Sequence, residues 1–228
     1  MDRRLNRARG LFRPRLPILV AMSDLRERKK AVLRATIVRS AVRLFDEHGY
    51  DHVGVDEIAS VSMCSRSTFK RYFGTKEDVL FPGSQEITAG LRRVLQAADP
   101  SADRWDVARA AVIGQLRLFF DALDPEVRTT CLRLWLTAPS PRRRYLEIAH
   151  EFEEILQEFF AAGLADDATT HMRTQLLASA MVSALRATMH ATIESHGEVG
   201  DLAETAFTMI EAGVPALASA SMRQVTGA

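Results

Sequence analysis

VDEIASVSMCSRSTFKRYFGTK, from Val55 to Lys76, reads as two short helices joined by a tight turn, followed by the cap of a further helix. In the first helix Val55, Ile58 and Ala59 recur at helical spacing. Asp56 and Glu57 lie near its N-terminal end, where acidic groups are favoured. The turn spans Val61–Ser65. The second helix, from Arg66 to Phe73, places Phe69 and Phe73 four apart on one face and Arg66, Ser67, Lys70 and Arg71 on the others. Aromatic anchors on one side and hydrogen-bond donors on the other suit a helix that enters a DNA groove. The same residues would also serve an ordinary helical hairpin with a solvated charged face, so the surrounding sequence has to decide.

That surrounding sequence is specific. Ile37, Ala41, Leu44, Phe45, Gly49, Tyr50, Val55, Ile58, Ala59, Ser65, Thr68, Phe69, Phe73, Lys76, Glu77 and Leu80 stand in the order and spacing of the TetR family's DNA-binding domain, which this stretch resembles. The resemblance implies an all-α protein: an N-terminal three-helix helix-turn-helix domain, then a helical bundle that binds a ligand and forms a homodimer. The function it implies is a repressor that binds a double-stranded DNA operator and is released by a small molecule. On the matching positions, DNA contact is expected from Arg66, Ser67, Thr68, Lys70, Arg71, Tyr72 and Lys76. The segment STFKRYFGTKEDVLF is similar to a subgroup whose C-terminal domain takes acyl-CoA-like ligands, so a small apolar, acyl-CoA-like effector is expected.

Three positions depart from the family pattern. Gly54 stands where a Thr or Ser usually caps the second helix, and glycine caps without a side-chain acceptor. Met63 occupies a turn position usually held by Gly or a small polar residue, at a cost if the backbone there needs φ > 0. Lys70 replaces an aromatic residue on the recognition helix. These departures motivate an alternative: a helical ligand-binding or interaction scaffold that has lost specific DNA binding.

Charge distribution bears on this choice. The chain of 228 residues carries a net charge of only +1. Residues 1–81, however, hold 17 Lys and Arg against 10 Asp and Glu, and the remainder holds 13 against 19. A basic front joined to an acidic rear fits one module that meets phosphates and one that does not. Cys64 and Cys131 are too few for a disulfide framework and lack metal-ligand spacing, so both are expected as reduced thiols in a cytoplasmic protein. No uninterrupted apolar run reaches the ~20 residues of a membrane span, and no membrane partner is expected.

The expected organisation has three parts. Residues 1–22 form a basic tail, rich in Arg and broken by Pro14 and Pro17, without a secretion-signal pattern. Residues 23–74 form the DNA-binding domain, with a first helix from Ser23 to Gly49. Residues 75–228 form the ligand and dimer domain. It opens with a connecting helix over 75–98 that Thr75 and Asp78 cap and Pro82–Gly83 kink or interrupt. Further helices are predicted over Asp103–Leu123, from Asp124-Pro125, from Ser140-Pro141 to Gly163, over Ala168–His196, and from Asp201 to about Ala220. The last two, rich in small residues, are expected to pair across a two-fold axis.

No enzyme is expected: the chain has no phosphate-binding glycine loop after a strand, no H-E-x-x-H and no nucleophile elbow, and no cofactor is called for. The histidines are scattered, and His190, among Met181, Leu185, Met189 and Ile193, reads as a core or interface residue. Aromatic residues concentrate in the middle helices. A bundle cavity there would be lined by Leu116, Phe119, Phe120, Leu132, Trp135, Leu136, Phe152 and Leu156, with Arg142, Arg143 and Arg144 available to phosphates at its mouth. An ordinary core and a solvated arginine face use the same residues.

Overall fold

The computed structural model describes residues 17–195 and 197–213, with side chains from residue 28 onward. Among these residues the chain forms nine α-helices and no strand, the all-α class expected. The first, α1, spans Pro17–His48 and so begins upstream of Ser23. Proline suits a first helical position, where its missing N–H would have had no partner. Residues 17–22 therefore belong to this helix rather than to a tail, and the rest of the basic segment, residues 1–16, lies outside the described residues. α1 ends at Gly49, whose φ of 83° only glycine adopts readily.

A 3-10 turn, Tyr50–His52, leads to α2, Val55–Val61, and α3, Arg66–Tyr72. Helices this short are unstable alone. They persist because Ile58, Phe69 and Phe73 are buried against Ile37, Ala41 and Phe45 of α1. Burying each such side chain stabilises by about 1.5–3 kcal/mol. Met63 holds a φ of 52° with its side chain 92 % exposed. The turn thus keeps its left-handed residue without glycine, and the methionine gains almost no burial in return.

The connecting helix is not continuous. Thr75 and Asp78 do cap each other: the Thr75 amide donates to Asp78 Oδ2 at 2.9 Å, and the Asp78 amide to Thr75 Oγ1 at 3.3 Å. The cap opens only a 3-10 turn, Asp78–Leu80. Pro82 and Gly83, the latter at φ 87°, then break the chain direction before α4, Ser84–Gln96. The body follows as α5 (Arg104–Asp121), α6 (Pro125–Thr137), α7 (Pro139–Ala161), α8 (Ala168–Ser195) and α9 (Val199–Ala212). α7 starts at Pro139 rather than at the Ser140-Pro141 pair. α9 starts two residues before Asp201, and its expected extension past residue 213 lies outside the described residues, as does His196.

One core runs between α4, α5, α7, α8 and α9, around Leu91, Val112, Leu156, Met181 and Phe207. The other joins the helix-turn-helix to the body. Ile37, Phe45, Ile58, Phe69, Val79 and Leu80 form a single cluster with Phe120, Val127, Cys131, Leu134 and Trp135 of α5 and α6. Polar contacts reinforce that junction: Thr130 Oγ1 donates to Asp46 at 2.7 Å, and Arg34 pairs with Glu86 at 2.9 Å. Burial pushes the Cys131 thiol up to about 12, with Asp46 adding to the shift, so it stays protonated and unreactive at neutral pH. α8 is long and apolar enough, by length and composition, to cross a bilayer, a property that counting uninterrupted apolar runs does not register. Here it packs between α7 and α9.

Candidate DNA-binding face and effector cavity

The turn before α3 organises its N-terminus. Ser65 caps the helix by accepting from the Thr68 amide at 3.1 Å. Its hydroxyl also contacts Ser67 Oγ at 2.8 Å and donates to Thr68 Oγ1 at 2.9 Å. Three hydroxyls thus gather where the helix would meet a phosphate or a base edge. Arg66 reaches back to Asp56 of α2 in a two-oxygen contact at 2.9 and 3.2 Å, which fixes its side chain on the outer surface of the motif. Lys70 and Arg71 are exposed. Arg71 lies over the Tyr72 ring at 5.3 Å, while Tyr72 is half-buried and packs on the core.

Lys76 is placed differently from the phosphate contact expected of it. Its ammonium donates to the carbonyls of Tyr50 at 2.9 Å and Val53 at 3.2 Å, and lies 4.2 Å from the Tyr50 ring centre. It closes the turn between α1 and α2. The expectation rested on a lysine in a first helical turn, unfavourable beside the helix dipole unless a phosphate meets it. Lys76 instead precedes the 3-10 turn, and two backbone carbonyls meet its charge. Beside it, the Tyr50 hydroxyl donates to Glu77 at 2.7 Å. Burial works against ionisation of Glu77. The hydrogen bonds from Tyr50, its own backbone and Thr75, with the Lys76 charge, outweigh it and hold the carboxyl below its usual range. A depressed folded pKa means the stabilisation is present above the ordinary carboxylate value and disappears as pH falls through the folded one. Lys76→Met is therefore expected to lower the thermal midpoint of the whole protein, by the loss of charged hydrogen bonds worth about 1.5–3 kcal/mol each. Thermal denaturation at pH 7 checks this, and an unchanged midpoint with weakened DNA binding would restore the phosphate role.

In the body an apolar cavity of about 100 Å³ opens between α4, α5, α6, α7 and α8. Of the residues expected to line it, Leu116, Phe119, Phe120, Trp135 and Phe152 do so. Leu132 faces the core shared with the helix-turn-helix, and Leu156, one turn beyond Phe152, is enclosed in the second core. Leu136 is half-buried on α6 and off the cavity wall. Residues not expected there, among them Phe81, Ser84, Gln115, Tyr145 and Met189, also line the wall. Gln115 was detectable, because it interrupts the stripe Ala108, Ala111, Val112 at the next helical step. Phe81 and Tyr145 carried no local signal, since they meet the cavity only through tertiary packing.

The three arginines are not at this cavity. Arg142 and Arg143 are exposed. Arg144 pairs with Asp78 at 3.3 Å and Glu147 at 3.0 Å, and with Arg143 it borders a separate polar hollow that also holds Glu77. Three carboxylates in that hollow make it a poor phosphate site.

Trp135 belongs to both cavity and junction. It is buried, stacks on Phe81 with ring centres 4.8 Å apart, and lies nearly parallel to Tyr145 at 6.3 Å. Its indole N–H donates to the Leu80 carbonyl at 3.2 Å. The segment Thr75–Phe81 is consequently held on one side by Tyr50 and Lys76, and on the other by a residue of the cavity wall.

A capped short helix with exposed cations is thus mounted on a helical body that holds an apolar cavity. Residues 37–81 match the family model described as bacterial regulatory proteins, tetR family. The HTH-type transcriptional regulator TcmR of Streptomyces glaucescens is 29 % identical over 142 residues, which are 60 % of this chain and 63 % of that protein. The putative mycofactocin biosynthesis transcriptional regulator MftR of Mycobacterium tuberculosis is 24 % identical over 177 residues, 78 % of this chain and 88 % of that one. The fold is similar to that of SmeT in its triclosan complex, with a TM-score of 0.55 at 14 % identity over 78 % of this chain and 89 % of the other. Residues 37–81 thus carry the sequence pattern of the TetR family's DNA-binding domain.

Proposed function

We propose that the protein is a dimeric, cytoplasmic repressor whose hold on its operator is loosened by a small apolar effector entering the body cavity. The observation that carries this reading is Trp135, which is at once cavity wall and hydrogen-bond donor to the segment that supports the helix-turn-helix. An effector that binds better when this side chain is displaced would shift the population toward a form with differently placed recognition helices. In this reading residues from α1 to 74 bind DNA, and residues 75–228 bind the effector and dimerise. Arg66, Ser67, Thr68, Lys70, Arg71 and Tyr72 form the DNA-facing set. Catalysis has no part in it. The acyl-CoA-like form of the effector draws no support from Arg142, Arg143 and Arg144, which leaves the apolar character of the cavity as its warrant. The test is a titration of operator-bound protein with small apolar compounds and with acyl-CoAs of increasing length, free CoA serving as control. Release by an apolar compound supports the reading, and retention of DNA throughout opposes it.

Dimerisation is assigned to the outer faces of α8 and α9. Met172, Leu176, Ser183, Ala187 and His190 are exposed at helical spacing on α8, as are Thr205, Met209 and Ala212 on α9. Met172 and Leu176 are 61 % and 64 % exposed in the single chain, and exposed apolar side chains of this kind favour a partner. Leu176→Arg is expected to convert the dimer to monomer at micromolar concentration and to weaken operator binding by uncoupling the two half-sites. Sedimentation or light scattering measures this. A dimer that survives both Leu176→Arg and Ala187→Arg would place the interface elsewhere.

A further inference from the structure

Within the proposed effector role, on which this inference rests, we propose that the ligand is a neutral aromatic compound of one or two rings bearing a hydroxyl or carbonyl group, which hydrogen-bonds to Gln115. The wall supplies three relevant observations. First, Gln115 is 7 % exposed and lines the cavity, yet its amide has no hydrogen-bond partner among the described residues. A buried amide is normally paired, because leaving its donor and acceptor unmade costs free energy. Two other polar groups border the wall, the Ser84 hydroxyl and the Tyr145 hydroxyl, the latter beside Arg186. Gln115 is thus a donor and an acceptor held open in a largely apolar space.

Second, the wall is aromatic and carries no charged side chain. Phe81, Trp135 and Tyr145 present nearly parallel rings, with interplanar angles of 13° and 5° to the indole, and Phe119, Phe120 and Phe152 add three more among aliphatic side chains. Flat rings gain from offset stacking and edge contacts in such a setting beyond their buried area. A carboxylate or phosphate placed there would lose hydration without a partner. Third, size limits the ligand. An engineered apolar cavity of about 150 Å³ accommodates benzene, and the space here is about 100 Å³. One ring therefore needs modest side-chain adjustment and two rings a larger one, and a long acyl chain exceeds both.

The backbone opposite Gln115 is cut to fit its amide. A Cβ at Gly90 of α4 would lie 2.5 Å from Gln115 Oε1. Gly90→Ala would therefore move the amide without removing it, and alanine favours the helix.

Calorimetric titration of the full chain, without DNA, with naphthalene, naphthol, naphthoate and decanol tests the proposal separately from operator release. Wild type is expected to bind naphthol about tenfold more tightly than naphthalene, the scale of one added hydrogen bond. It should bind naphthol better than decanol, and naphthoate at neutral pH not at all. Gln115→Leu should abolish the naphthol preference, and Gly90→Ala should reduce it. Equal affinity of wild type for naphthol and naphthalene, a preference that survives Gln115→Leu, or tighter binding of decanol or naphthoate would overturn the proposal. Failure of DNA release with these preferences intact would count against the repressor reading alone.

Discussion

Alanine at both Lys70 and Arg71 is expected to reduce operator affinity at least about a hundredfold at physiological salt, without loss of fold or dimer. Both side chains are exposed, and neither is part of the buried cluster under the motif. In a dimer the double substitution removes two cations from each recognition helix. If all meet phosphates, the slope of log affinity against log salt should fall by about 3–4. Arg66→Ala is a different case, because Asp56 orients that guanidinium. If it reads a base, its loss should blur sequence preference rather than flatten the salt dependence. Anisotropy titrations of labelled operator at several salt concentrations distinguish the two behaviours. An unchanged slope in the Lys70 and Arg71 double variant would mean that another surface faces DNA.

The second large effect is expected at Trp135. Trp135→Ala removes a buried indole from the junction core and should destabilise by about 3–5 kcal/mol. Trp135→Phe is the more informative change. It keeps an aromatic ring against Phe81 and Tyr145 but leaves the Leu80 carbonyl without its donor, at a cost of about 1–3 kcal/mol. The segment Thr75–Phe81 would then be tied to the motif through Tyr50 and Lys76 but no longer to the cavity through this bond. Operator binding should persist, while the concentration of effector needed for release should rise or release should vanish. Chemical denaturation reads the first part and effector titration of the protein–DNA complex the second. Full release at the wild-type effector concentration would show that coupling runs by another route.

The all-α class and the helix-turn-helix were legible because they rest on local rules. Phe69 and Phe73 recur at helical spacing, Ser65 is a capping residue, and Gly49 marks a left-handed stop. At Met63 the sequence posed only a condition, a cost if φ were positive, and the backbone meets it with a φ of 52°. What was not legible depends on partners distant in sequence. Nothing near Lys76 tells whether a phosphate or the carbonyls of Tyr50 and Val53 will meet it, because those groups are 26 and 23 residues away. Arg144 reads as one of three equivalent cations until Asp78, from another element, singles it out. On α6, Trp135 meets the cavity while Leu132 and Leu136 do not, a choice made by how α6 rotates against its neighbours. The break at Pro82 and Gly83 was a local signal too, but whether it kinked or ended a helix depended on packing around Phe81.

Selection of binding sites from a randomised duplex DNA pool by the purified protein reads specific DNA recognition without assuming an operator. Enrichment of an inverted repeat is expected, with two half-sites separated as the two recognition helices of a dimer require. A folded dimer that enriches no sequence above the starting pool would contradict this expectation and would instead favour a helical ligand-binding protein that has lost specific DNA recognition.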